Sequence, residues 1–292
     1  MKGKEKALRV GLPALLCLGL YAFQLMRATP VPLTLEEALA KKMISCTATS
    51  TGGHSGSSVA ITVTNLSASP LTITIPDGTV FKPSEDEDQD LLITEPHVIS
   101  LNGKAVNKRV LDGYCMEASD HSPTRNNTMK ISKTSNKDLL ALTRFLDKKG
   151  YDNGTIQSAV WAVSDKHPIS YIDNEDVKTK ELRSFLSTLT HQPDPWYEAE
   201  PKVVVREDRI IETNPVSVSG KIQFESDGQV TITEVVKNAA GTVVNTSDAI
   251  DFPKKGTWTY KFTLTVEGWE KGAYSVTVMN GTNALETFPF TI

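Results

Sequence analysis

The side chains that could do covalent, acid–base or metal chemistry in this sequence are few: three cysteines, five histidines and two short acidic runs. Cys17 lies inside an apolar stretch, which leaves Cys46 and Cys115. In an oxidising compartment these two can form a disulfide, provided the fold brings their Cα atoms within about 7 Å. Cys115 reads equally well as an inert core thiol. His54, His97, His121, His167 and His191 occur singly, without the i, i+4 spacing with which a helix offers two imidazoles to zinc. Glu85-Asp-Glu-Asp88 with Asp90 offers carboxylate oxygens of the kind calcium takes. It has neither EF-hand spacing nor the turn glycine, so it reads as a solvated loop. Asp173, Glu175 and Asp176 read the same way, at a place where a helix N-terminus favours negative charge. No nucleophile elbow, phosphate loop or dinucleotide fingerprint occurs. Trp196, Tyr197, Trp258 and Trp269 read as core aromatics rather than as a sugar-stacking face. No metal, no cofactor and no conventional enzyme site are expected.

One pairing is more specific. Cys115 lies in Gly113-Tyr-Cys-Met-Glu117, at a predicted strand end. Gln157 lies in Thr155-Ile-Gln-Ser-Ala-Val-Trp161, at a predicted helix start. An aromatic–Cys–apolar motif followed by apolar–Gln–x–Ala–apolar–Trp resembles the thioester domains of bacterial surface adhesins. In that family a glutamine side chain acylates a cysteine sulfur with loss of ammonia, and the buried thioester captures an amine on a host surface. The resemblance implies a Cys115–Gln157 bond; apart from it, His121 and His167 are the candidates for a base that takes a proton from the amine. It covers roughly residues 110–165, and the separation of 42 residues is shorter than the family leads one to expect. A thioester stores acylating power that an amide lacks, because a thiolate is both a good nucleophile and a good leaving group. Without the resemblance, Gln157 is a residue near a helix N-cap, with Ala159 and Trp161 as packing.

The elements that must position these residues are mostly strands. Thr34-Leu-Glu-Glu37 is a capping-box pattern and predicts a short helix over 35–42. Val59–Thr64, Leu71–Ile75, Thr79–Phe81, Leu91–Ile93, His97–Leu101 and Val106–Tyr114 then read as short strands separated by turn residues, a sandwich over about 43–118. Three helices follow. Ser135 is placed to cap the first, which puts Leu139, Leu142, Phe145 and Leu146 on one face. The second starts near Thr155, and the third runs from about Val177 to Leu189. From Asn214 a second meander of about seven strands resumes. The fold class expected is mainly β with a small helical insert: immunoglobulin-like β-sandwich domains behind an N-terminal signal or anchor helix. The boundaries are 1–28 for the signal or anchor, 29–195 for a sandwich with appended helices, 196–213 for a linker passing through one strand at Val203–Val205, and 214–292 for an immunoglobulin- or fibronectin-like sandwich.

The first 28 residues set the location. Lys2, Lys4, Lys6 and Arg9 precede an apolar run, Val10 to Met26, broken by Pro13 and Gln24. That is the layout of a secretory signal. Uncleaved, residues 10–26 are about the minimum span of a bilayer and would leave the body outside. Without residues 1–28 the net charge moves from −4 to −8. An acidic exported body does not suit nucleic acid. The sequence is therefore read as an exported cell-envelope or surface protein, periplasmic or at the cell surface, with a binding or structural role toward a protein or carbohydrate ligand. The alternatives are a thioester adhesin and an extracellular hydrolase whose site is assembled from loops.

Overall fold

The computed structural model describes residues 32–85, 87–207 and 209–292. The predicted signal or anchor, including residues 10–26, lies outside the described residues. No helix among those described is long and apolar enough to cross a membrane. The chain is mainly β, 47% strand against 18% helix, arranged in several sheets.

The first unit starts with β1 (Leu33–Thr34) and α1 (Leu35–Ala40), then β2 (Ile44–Ser50), β3 (Ser57–Asn65), β4 (Leu71–Ile75) and β5 (Thr79–Pro83). It continues with β6 (Leu91–Leu92), β7 (His97–Leu101), β8 (Val106–Asp112), β9 (Tyr114–Cys115) and β10 (Thr128–Lys133). The predicted capping box is present: Glu37 N donates to Thr34 Oγ1 at 3.1 Å and Thr34 N to Glu37 Oε2 at 2.9 Å. One sheet has the order β1-β4-β7, the other β8-β3-β2-β10-β5-β6-β9. The alternation predicts no strand after Tyr114, yet β10 pairs with β2 and β5 near the middle of the larger sheet. Its pattern is faint because Met129 and Ile131 are its only apolar residues.

Strand register divides the larger sheet into two faces. Phe81 pairs with Leu91 and Leu91 with Cys115, so these three side chains share one face. They join Ile61, Ile73, Ile75 and Ile99 in the core between the sheets. One residue along, Val80, Leu92 and Tyr114 point to the opposite face, as the two-residue period of a strand requires. There they meet the helices α2 (Lys137–Leu146), α3 (Asn153–Ser164) and α4 (Val177–Thr190) through Leu139, Leu142, Ile156, Val160, Leu182 and Leu186. The cap of α2 is Asn136 rather than Ser135; its Oδ1 accepts from Asp138 N at 2.9 Å and Leu139 N at 3.3 Å. Asparagine caps at least as well as serine, so the helix starts one residue later.

The segment 196–213, expected as a linker, is part of a long hairpin. β11 (Tyr197–Arg206) pairs with β12 (Arg209–Ser226), and β12 with β16 (Gly256–Thr265). Pro201 and Pro215 conceal the continuity, because proline lacks the N–H that a ladder uses. The companion sheet is β14-β13-β17-β18, made of β14 (Val243–Thr246), β13 (Val230–Asn238), β17 (Ala273–Asn280) and β18 (Asn283–Thr291); β15 (Ile250–Phe252) also pairs with β13. Val218, Ile222, Ile232, Val236, Phe262, Val276 and Phe290 fill the core of this second unit. Tyr197 and Ala199 are buried in that core too, so β11 belongs to it.

The units are joined by a buried cation. Arg183, on α4, is 0% exposed. Its guanidinium donates to Asp194 Oδ1 at 2.9 Å and to the carbonyls of Ile172, Pro195 and Tyr197. Lys261 on β16 adds an exposed ion pair to Glu175, 2.6 Å.

Candidate acyl-transfer site

β9 is the last strand of the larger sheet, so one side of its backbone has no strand partner. A helix side chain occupies that side. Cys115 N donates to Gln157 Oε1 at 3.0 Å, and Gln157 Nε2 donates to the Cys115 carbonyl at 2.8 Å. The carboxamide pairs with the strand edge as another strand would. Gln157 is 3% exposed and Cys115 0%. The two residues singled out in the sequence therefore meet through the backbone of Cys115, although 42 residues apart.

Helix α3 is aimed by its first turn. Asp152 caps it, accepting from Thr155 N at 2.9 Å and Thr155 Oγ1 at 2.6 Å. Tyr114 Oη donates to Asn153 Oδ1 at 2.8 Å, which ties the helix start to the residue preceding Cys115. Gln157 and Trp161 lie one turn apart on the same helix face.

The other wall is the loop 51–56, whose residues read in sequence as a turn. Cys115 N also lies 3.0 Å from the His54 carbonyl, so its N–H is shared between two acceptors. Gly113 N donates to the Gly56 carbonyl at 2.8 Å. Gly56 has φ +70°, and a Cβ there would come within 2.5 Å of Asn153 Nδ2. Glycine is needed for both the conformation and the close approach.

Aromatic rings complete the site. Trp161 is stacked with His54, centroids 6.2 Å apart, and lies 5.5 Å from the His167 ring. A cleft of about 170 Å³ opens over Gln157, lined by His54, Ser158, Trp161, His167, Tyr171 and, from β11, Val203. Of the two histidines considered as a base, His167 lines this cleft. His121 does not: it is not among the residues lining the cleft, and its Nε2 accepts from Arg209 Nε at 2.8 Å. His54 was not marked by spacing; the glycines around it, which let a loop approach a strand closely, were the available signal.

Burial pushes the Cys115 thiol well above the ordinary thiol range, with Glu117 and Asp88 adding to it. Burial also lowers the pKa of His54, which favours the neutral imidazole. Cys46 is a half-buried free thiol, pushed up to about 11 by burial. Of the two states left open for Cys46 and Cys115, the structure has free thiols rather than a disulfide. β2 and β9 are four strand positions apart in one sheet, about 19 Å along it at the usual strand spacing. Among the described residues no group of three or more His, Cys, Asp or Glu side chains is placed to hold a metal ion. Trp196, Trp258 and Trp269 pack against the second core, Trp196 donating from Nε1 to the Pro289 carbonyl at 2.6 Å.

No protein-family model matches the sequence, and no curated protein matches it. Among solved structures it is matched to a β-glucosidase from Kluyveromyces marxianus in complex with glucose, at 8% identity and a TM-score of 0.21, over 80% of this chain. The chain spans 44% of that enzyme's length. A likeness this weak carries no functional argument.

Proposed function

We propose that this chain is an exported surface protein that attaches covalently to amines through an internal thioester between Cys115 and Gln157. In this reading the second unit is an immunoglobulin-like sandwich serving as a spacer. The observation that carries the reading is the reciprocal pairing of the Gln157 carboxamide with the Cys115 backbone. Formation balances simply. Cys115 Sγ adds to Gln157 Cδ, the Cδ–N bond breaks, and ammonia leaves with the thiol proton. Negative charge develops on Oε1, which already accepts from Cys115 N at 3.0 Å, the placement of an oxyanion donor.

In the opening step an amine adds to the acyl carbon, the C–S bond breaks and the sulfur takes up a proton. His54 and His167, whose ring centroids lie 6.2 and 5.5 Å from that of Trp161, are the proton acceptors for the incoming ammonium.

The test is covalent labelling. Incubation with a fluorescent primary amine should label the protein, and peptide mapping should place the label on residue 157. Labelling that persists in Cys115→Ala would overturn the reading.

The second reading is a non-covalent binding or structural role at the cell surface, toward a protein or carbohydrate ligand. It is favoured by the same pairing seen as architecture: an intact Gln157 carboxamide satisfies the free edge of β9. No observation favours the extracellular hydrolase.

A further inference from the structure

The cleft over Gln157 is walled by both units. His54 and Ser55 come from the loop after β2, Gly154, Ser158 and Trp161 from α3, and Pro201 and Val203 from β11 of the second unit. Among the described residues no carboxylate, lysine or arginine lines it, so shape more than fixed charge discriminates among molecules that enter.

Val203 reaches the cleft because the β11–β12 ladder is irregular there. The register shifts between Glu200 and Pro201 and again between Pro201 and Val203. Such an irregularity bends a strand and re-aims its side chains. Val203 is 54% exposed and is not part of its own unit's core. Further out, Val205 borders a second hollow with Gly52, Gly53, His54 and Pro123. The hairpin is fastened at both ends. Arg183 holds the Tyr197 carbonyl at its base. Near its tip Arg209 donates to His121 and lies 3.5 Å from Glu87.

We propose that Pro201 and Val203 are the specificity-determining wall of this site, admitting slender primary amines to the Gln157 acyl carbon and holding back bulky ones. The chemistry rests on the thioester reading; the wall itself does not.

The test uses the full-length protein with Val203→Ala and Val203→Trp, at a half-exposed position outside the core. Opening is followed by mass with methylamine and with benzylamine. Val203→Ala should speed benzylamine opening roughly tenfold and leave methylamine within about twofold, and Val203→Trp should slow benzylamine selectively. Equal effects on both amines, or none, would overturn the proposal. A second measurement separates this from failure of the thioester. In a Cys115→Ser, Gln157→Cys background, where that bond cannot form, the introduced thiol sits on the cleft floor. Val203→Ala should then speed its alkylation by N-phenylmaleimide more than by iodoacetamide. An equal or absent effect there removes the wall, whatever the state of the bond.

Discussion

The two units bury different things. The second has a core of aromatic and β-branched side chains, and among the described residues Ser219 is its one buried polar side chain. The first buries Ser58, Asn65, Gln89, Thr143, Gln157 and Arg183 among others. A buried polar group is costly unless its hydrogen bonds are made. Most of those in the first unit have identifiable work. Asn65 closes the β3–β4 turn, Thr143 accepts no strand role but donates to Asp77, and Arg183 gathers the chain between the units. Gln157 differs because its partner is the backbone of a cysteine. The contrast separates a unit whose interior is specified by apolar packing from one whose interior also holds polar side chains by hydrogen bonds.

The largest effect that can break this comparison is truncation. A fragment of residues 196–292 should fold cooperatively alone, whereas 214–292 loses β11 with Tyr197 and Ala199 and should be unfolded. Circular dichroism and urea titration of both fragments check this; a folded 214–292 would mean that the hairpin is dispensable.

Next in size is Arg183→Ala, which leaves three carbonyls and Asp194 without their donor. It should cost about 3–5 kcal/mol in urea unfolding. Ser219→Ala in the other unit, which removes one hydrogen bond to Glu198, should cost about 1 kcal/mol. Similar losses in the two would erase the distinction drawn above. Gln157→Leu lies between them, at about 1–3 kcal/mol, since it strands the Cys115 carbonyl on that edge and leaves the N–H with the His54 carbonyl alone.

The smallest effect sharpens the site's surroundings. Burial pushes the Glu117 carboxyl up to about 7, with Asp90, Asp120 and Asp165 adding to it and a hydrogen bond from Asp90 N opposing it. The folded chain therefore holds this proton more tightly than the unfolded chain does. The stability it contributes is present in full below 4.5, the ordinary value, and is lost as pH rises through about 7. Glu117→Gln should flatten the fall in urea midpoint over that window; an unchanged slope would assign the fall to another group. The carboxyl is partly solvated, which keeps the effect small.

Much of this was legible in the sequence where local pattern and local structure agree. The Thr34 capping box, the helices α2 to α4 and most strands follow from caps and periodicity. So did the two motifs around Cys115 and Gln157, because each is a contiguous string. What was not legible depends on long-range pairing. β10 is nearly patternless, and its place between β2 and β5 comes from the sheet. The β11–β12 hairpin is hidden by two prolines that a bulge and a strand edge tolerate. His54 and Val203 enter the site through a glycine loop and a register shift, neither of which has a spacing rule. Cys46 and Cys115 bracket the first sandwich in sequence, but sheet order sets them far apart.

The central claim is a bond, and intact mass reads it directly. Purified in buffers free of primary amines, the protein should be lighter than its sequence by about 17 Da, the ammonia lost when the thioester forms. Cys115→Ala and Gln157→Ala should each have their full sequence mass. A wild-type protein at full sequence mass, or a deficit that survives in Gln157→Ala, would contradict the account.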